Sequence, residues 1–244
     1  MNAAYNDSMK SVRTDTDYAA LIEAMPQGAV LTLDHVDWNE YEDLLRQFDE
    51  RPAIRLTYDQ GRLEIMTLSP EHERAAGLFP ALILVLAEEC GLNYLSYKST
   101  TLRKRGKSRG AEADDCFYFR DFKRISGKKT LDLSVDPPPD LAFEIDISSG
   151  SIPKFPIYAA VGVPEIWRYD SKQMEFYRLV RDEYTKIASS NLFPFLTPDT
   201  ILKFLRQGEA EGTVVMAKAF RKWVATHRAK TGRPKRYPLN QPAR

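Results

Sequence analysis

Residues 137–170 read PPPDLAFEIDISSGSIPKFPIYAAVGVPEIWRYD, and their pattern decides the fold. The proline run after Asp136 fits neither a helix interior nor a central strand, so it is a rigid lead-in. Leu141 to Ile147 then reads as a buried strand, apolar except for Glu144 and Asp146, which a period of two puts on one face. Ser148-Ser149-Gly150-Ser151 is a turn cluster. Ser151 and Pro153 suit a helix start, Lys154 to Ala160 forms the helix, and Gly162 ends it. Ile166 to Tyr169 is again a strand. Strand, helix and strand in succession predict a mixed α/β fold.

Upstream, Asn93 to Leu102 and Ala113 to Phe119 read as two strands. Before them, Ser69-Pro70-Glu71 opens the longest helical pattern, with serine at the cap and proline at the first position. Ala75, Phe79, Leu82 and Leu86 form its core-facing stripe, and Pro80 is expected to kink or split it. Ile54 to Tyr58 and Leu63 to Met66 flank Asp59-Gln60-Gly61 as a β-hairpin, and Trp38 to Phe48 has the three- and four-residue spacing of a helix. Downstream, Met174 to Val180 and Glu183 to Ile187 are strands, a short helix lies near Thr200 to Leu205, and Glu211 to His227 is strongly helical. The organisation is an arm over 1–30 with one short helix near Tyr18 to Met25, a core domain over 31–206, and a basic helical extension with a disordered tail over 207–244.

Composition narrows the class. A chain of 244 residues with 43% hydrophobic and 11% aromatic residues is globular. Cys90 and Cys116 are too few for a disulfide framework, and with His35, His72 and His227 far apart no zinc motif is present. The amino terminus lacks a signal-peptide core, and the most apolar run, Leu78 to Ala87, is well short of the ~18 residues of a membrane span. A soluble, cytoplasmic protein is expected. Phosphate-loop, dinucleotide and serine-hydrolase signatures are absent. The formal charge of +1 hides a segregation. Lys98, Arg103, Lys104, Arg105, Lys107 and Arg109 form a tract without an acid, and nine Lys or Arg without an acid follow from Lys218. The remaining chain holds 20 of the 35 Lys and Arg against all 34 Asp and Glu, an acidic body with two basic arms. Such arms are either solvated or face a polyanion.

Carboxylates fall at the ends of predicted strands: Glu112, Asp114 and Asp115 on one, Asp140, Glu144 and Asp146 on the next. Two adjacent strands can bring two or three of them to one point, which suits a hard cation such as Mg²⁺. A carboxylate in a strand as apolar as that around Glu144 needs a partner or a metal. Lys154, early in the following helix, can return its ammonium toward Glu144, where it would position or deprotonate an attacking water. Trp167 and Tyr169 alternate in a strand and read as packing.

The stretches RLTYDQGRLEIM (Arg55 to Met66), SPEHE (Ser69 to Glu73), RGAEADDCFYF (Arg109 to Phe119), Pro137 to Asp170 and LFPFLTPDTILKFL (Leu192 to Leu205) resemble the Uma-two family, restriction-endonuclease-like proteins of the PD-(D/E)XK nuclease superfamily. The resemblance implies a restriction-endonuclease-like core with an N-terminal β-hairpin and a C-terminal helical extension. It implies a Mg²⁺- or Mn²⁺-dependent endonuclease acting on DNA. Asp114 and Glu144 would bind the metal, Lys154 would serve the water, and Asp146 would be an auxiliary ligand or orienting group. His72 and Glu73 match a family motif, with Glu73 either a third ligand or a helix-cap residue. The chain departs from the pattern at Ala113, where the family has proline, and at Asp146, where the superfamily has lysine. The alternative is a nuclease-fold protein that binds nucleic acid or acts as an interaction or dimerisation module without cutting; a homodimer fits such folds when they cut both strands.

Overall fold

The computed structural model describes residues 18–48, 51, 53–128, 130–147 and 152–230. The arm over 1–17, the turn cluster over 148–151 and the tail over 231–244 lie outside the described residues. In chain order the elements are α1 (Tyr18–Glu23), β1 (Val30–Leu33), α2 (Trp38–Phe48), β2 (Ile54–Asp59), β3 (Arg62–Thr67), α3 (Pro70–Cys90), β4 (Leu95–Ser96), β5 (Thr101–Lys104), β6 (Arg109–Glu112), β7 (Asp115–Tyr118), α4 (Phe122–Ile125), β8 (Leu141–Ile145), α5 (Lys154–Val161), β9 (Glu165–Tyr169), β10 (Met174–Val180), β11 (Glu183–Ile187), α6 (Pro198–Glu211) and α7 (Thr213–Lys230).

The strands form two sheets. The first runs β1-β3-β2-β6-β5 and is antiparallel throughout. The second runs β11-β10-β9-β8-β7-β4, with β8 and β9 parallel and all other pairs antiparallel. Parallel neighbours need a crossover, and α5 supplies it.

The hairpin of β2 and β3 forms as predicted, but β1 joins it and was not apparent from the sequence. The single strand expected over Asn93 to Leu102 is divided, because Lys98 takes a left-handed φ of 49°. Its first part pairs with β7 in the second sheet and its last residues with β6 in the first. The strand expected over Ala113 to Phe119 is corrected in the same sense. Glu112 closes β6 in the first sheet, Asp115 opens β7 in the second, and Ala113 and Asp114 carry the chain from one sheet to the other.

Pro80 does not split α3, which runs unbroken over 21 residues. Proline inside a helix costs about 3 kcal/mol, whereas each large apolar side chain fully buried returns roughly 1.5–3 kcal/mol. Phe79, Leu82, Ile83 and Leu86 are all fully buried on this helix. Both ends are capped as well. Ser69 Oγ accepts the His72 N–H at 3.2 Å, and Gly91, at φ 65°, donates its N–H to Glu88 O at 3.2 Å.

Alternation along the second sheet sorts its two faces. Phe143, Trp167 and Phe176 occupy one cross-strand row. Phe143 stacks on Phe79 with centroids 3.5 Å apart, and Trp167 stacks on Phe176 at 4.3 Å. Helices α3, α6 and α7 cover this face, and α7 contributes Met216, Phe220 and Val224, all fully buried. The neighbouring row, Glu144, Arg168 and Glu175, faces the other way. Cys90 and Cys116 are both buried and form no disulfide. Among the described residues no helix is long and apolar enough to cross a membrane.

Candidate active site

Ala142 and Glu144 lie on the face of β8 turned toward α5, where Ala142 packs with Ile157, Tyr158 and Val161. The helix therefore presents its first turns to Glu144. Lys154 and Tyr158, four residues apart and so on one helical face, both reach it. Lys154 Nζ lies 2.7 Å from Glu144 Oε2, and the Tyr158 hydroxyl donates to Glu144 Oε1. Tyr158 escaped the sequence reading because a buried aromatic reads as core, although its spacing from Lys154 was a visible signal.

Asp114 comes to the same place by the sheet-to-sheet passage. Its own N–H donates to Phe143 O at 3.2 Å, and its Oδ2 accepts the Ile145 N–H at 2.7 Å, so the residue is pinned against the end of β8. Its Oδ1 faces His72 Nε2 at 2.9 Å and Arg55 Nε at 3.6 Å. His72 is carried there by the Ser69 cap, which fixes where α3 begins. His72, rather than Glu73, is the helix residue that meets the carboxylate: the Glu73 side chain is 59% exposed and 3.6 Å from His72 Nδ1.

These groups open on a cavity of about 290 Å³ between the sheets, lined by Arg55, Glu64, His72, Asp114, Glu144, Asp146, Lys154 and Arg168 among others. Asp146 sits on its wall but is held by Arg168, whose Nε lies 3.0 Å from Asp146 Oδ2 and whose Nη2 also donates to it. Arg168 extends the pairing to Glu175, and Glu175 accepts from Lys186 Nζ at 2.6 Å. Glu64, unmarked in the sequence, accepts the Ile152 N–H at 3.1 Å.

The other strand-end acids are absent from this cavity. Glu112 accepts the Leu56 N–H and the Thr101 hydroxyl, Asp115 accepts the Ser96 hydroxyl, and Asp140 accepts the N–H groups of Phe119 and Arg120. Within the basic tract, Lys98 faces Asp115, Arg105 faces Glu42 and Arg109 pairs with Asp59.

Electrostatically the centre is uneven. Burial works against ionisation of Asp114, but the His72 hydrogen bond and the Lys154 charge outweigh it and hold its carboxyl below the ordinary range. Burial dominates at Glu144 and pushes its carboxyl up to about 7, against the pull of Lys154. Lys154 is buried too, yet the charges of Glu144 and Asp114 raise it above an ordinary lysine. Its ammonium is therefore a fixed positive charge. Burial and Glu144 likewise raise Tyr158, which stays a neutral phenol.

Among the described residues no group of three or more His, Cys, Asp or Glu side chains is placed to hold a metal ion. The oxygen donors at the cavity, the carboxylates of Asp114 and Glu144, are of the hard kind that suits Mg²⁺, which takes one or two carboxylates and completes its octahedron with water and phosphate oxygens.

The two sheets, the parallel crossover and the covering helices define the class: a mixed α/β protein with the restriction-endonuclease-like fold. Residues 38–206 match the Uma2 family, described as "Putative restriction endonuclease", and the chain belongs to this family. No curated protein matches the sequence.

Proposed function

We propose that the chain is a divalent-metal-dependent endonuclease that hydrolyses phosphodiester bonds of DNA, with Asp114 and Glu144 holding Mg²⁺ or Mn²⁺. The observation that supports this reading is the convergence of Asp114, Glu144 and Lys154 on one cavity from three separate segments, with Lys154 Nζ 2.7 Å from Glu144 Oε2. When bound, the cation would polarise the phosphoryl group and make a water nucleophilic near neutral pH. The chain's own residues do the rest. Asp114, ionised and pinned by the Ile145 N–H, gives a carboxylate of fixed direction. Glu144 is a carboxyl whose burial is relieved by any added positive charge. Lys154, kept protonated by both acids, offsets negative charge that accumulates on the phosphoryl oxygens rather than acting as a base. Asp146 orients Arg168 at the cavity wall.

Incubating the protein with supercoiled plasmid tests the proposal. Nicking is expected with Mg²⁺ or Mn²⁺ and not in EDTA, and it is expected to vanish in Asp114→Asn and Glu144→Gln. Undiminished nicking by those variants would sink it. A second reading, nucleic-acid binding without cleavage, draws on the Asp146–Arg168 pair where a lysine would be expected. It predicts salt-sensitive binding with no cut under any divalent ion.

A further inference from the structure

Arg55 lines the candidate active site and also a second cavity, of about 480 Å³, that the nuclease reading does not use. This volume falls within the roughly 300–1,000 Å³ of small-ligand sites. Four arginines line it: Arg46, Arg51, Arg55 and Arg103. Among its described lining residues the one acid is Glu112, whose oxygens are turned to the Leu56 N–H and the Thr101 hydroxyl. Among its described lining residues the cavity therefore carries four cations against one acid.

Three of these cations, Arg46, Arg51 and Arg103, have no buried ion-pair partner among the described residues, while Arg55 faces the buried Asp114. Arg46 pairs with Asp43 and Arg51 with Glu23, but both pairs are exposed, with side-chain exposures of 69% and 58% and of 40% and 64%. Solvent-exposed pairs of this kind contribute little and exchange readily. The Arg103 side chain is exposed and makes no hydrogen bond or ion pair to any described residue, its charge acting through space on the exposed Asp132 and on Tyr41. The half-buried Tyr97 also lines the cavity, so an aromatic wall adjoins the charged one.

Guanidinium forks match phosphoryl oxygens in geometry and are weakly hydrated, and an aromatic wall beside them suits a sugar or base. We propose that this cavity binds a phosphoryl group carried on a nucleoside: the phosphate of a nucleotide beside the scissile bond of the substrate strand, or a free nucleotide. Arg55 then joins two adjacent phosphate positions, one at Asp114 and one in the arginine cavity. The assignment to a strand rests on the nuclease reading; the anion site itself does not.

The test measures binding by the full chain in EDTA, where cleavage plays no part. One arm titrates a fluorescein-labelled single-stranded 12-mer and the other dTMP, against wild type, Arg46→Ala/Arg103→Ala, and the charge-matched control Arg178→Ala/Lys172→Ala. The expected result is about a tenfold weaker 12-mer affinity for the cavity variant. Its salt slope should fall by about 1.4, the value for two phosphate contacts on a single strand. The control should match wild type. Loss confined to dTMP would support the site and assign it to a free nucleotide. Equal affinities of the cavity variant and the control for both ligands, or no saturable binding of either by wild type, would overturn the proposal. Arginine-dependent binding in a protein that never nicks plasmid would remove the nuclease reading and leave this site standing. Nicking with no arginine-dependent binding would do the reverse.

Discussion

Lys154→Met removes the cation that two buried carboxylates share. In the native chain the pair to Glu144 is 2.7 Å long, with side-chain exposures of 19% and 6%. Asp114 depends on the same charge. Breaking a buried pair from one side costs about 3–5 kcal/mol, because the remaining partner keeps its charge and loses its counter-ion. Methionine replaces most of the lysine stem, so the loss is electrostatic rather than a cavity. The dependence on pH identifies that origin. Glu144 is raised to about 7, chiefly by burial, so between the ordinary carboxyl range and 7 the native state holds a proton that the unfolded chain releases. Stability contributed at Glu144 therefore falls as pH rises through that window. Lys154, raised rather than lowered, adds stability that is fully present below the ordinary lysine range. Without it, Glu144 rises further and its window extends above 7. At pH 8 the variant must bury an unpaired Glu144 carboxylate, whereas at pH 5 that group is protonated. For a chain of this size each kcal/mol shifts Tm by about 2–4 °C. Thermal unfolding followed by circular dichroism should show a drop of about 6–20 °C at pH 8 and less than about half of it at pH 5. An equal drop at both pH values, or a larger one at pH 5, would refute the reasoning.

Three packing and hydrogen-bond predictions are independent of the site's chemistry. A Cβ on Gly208 would lie 2.6 Å from Met216 Sδ and 3.0 Å from Leu78 Cδ2, so Gly208→Val should lower stability by about 1–3 kcal/mol in urea unfolding, with partial rescue by Met216→Ala. Phe79→Ala removes the ring stacked on Phe143 and edge-on to Trp167; a loss of about 3–5 kcal/mol is expected, and one below about 1 kcal/mol would contradict the core described above. Asp140→Ala strands the N–H groups of Phe119 and Arg120, now 2.7 and 2.9 Å from Asp140 Oδ2. A cost of about 1–3 kcal/mol for each unsatisfied group should appear as a shifted denaturation midpoint.

The block from Leu141 to Tyr169 was legible in sequence because local signals there agree: an apolar run, a helix ended by Gly162, then an apolar run. Gly162 takes φ 88° as such a stop requires. The pairing of Glu144 with Lys154 followed from that reading. What periodicity could not reveal is which sheet a strand joins, since alternation reports burial and not partner. The run from Arg109 to Phe119 is continuous as a pattern yet serves both sheets, and the change of sheet at Ala113 and Asp114 is what sends Asp114 toward β8 and Glu112 toward β2. Arg55 was hidden for a related reason. In a hairpin it reads as an outward residue, and only the packing of the second sheet against the first leaves it 8% exposed beside Asp114. In α7 the apolar residues Met216, Phe220 and Val224 recur every four positions, a core-facing stripe masked by the basic character of the segment.

The proposed activity turns on whether Asp114 and Glu144 jointly hold a cation. Soaking crystals of the protein in MnCl₂ and collecting at a wavelength where manganese scatters anomalously addresses this directly. A single anomalous peak about 2.1 Å from one oxygen of each carboxylate, with the Lys154 ammonium displaced from Glu144 Oε2, is the predicted result. No peak at saturating Mn²⁺, with Lys154 still bonded to Glu144, would contradict it.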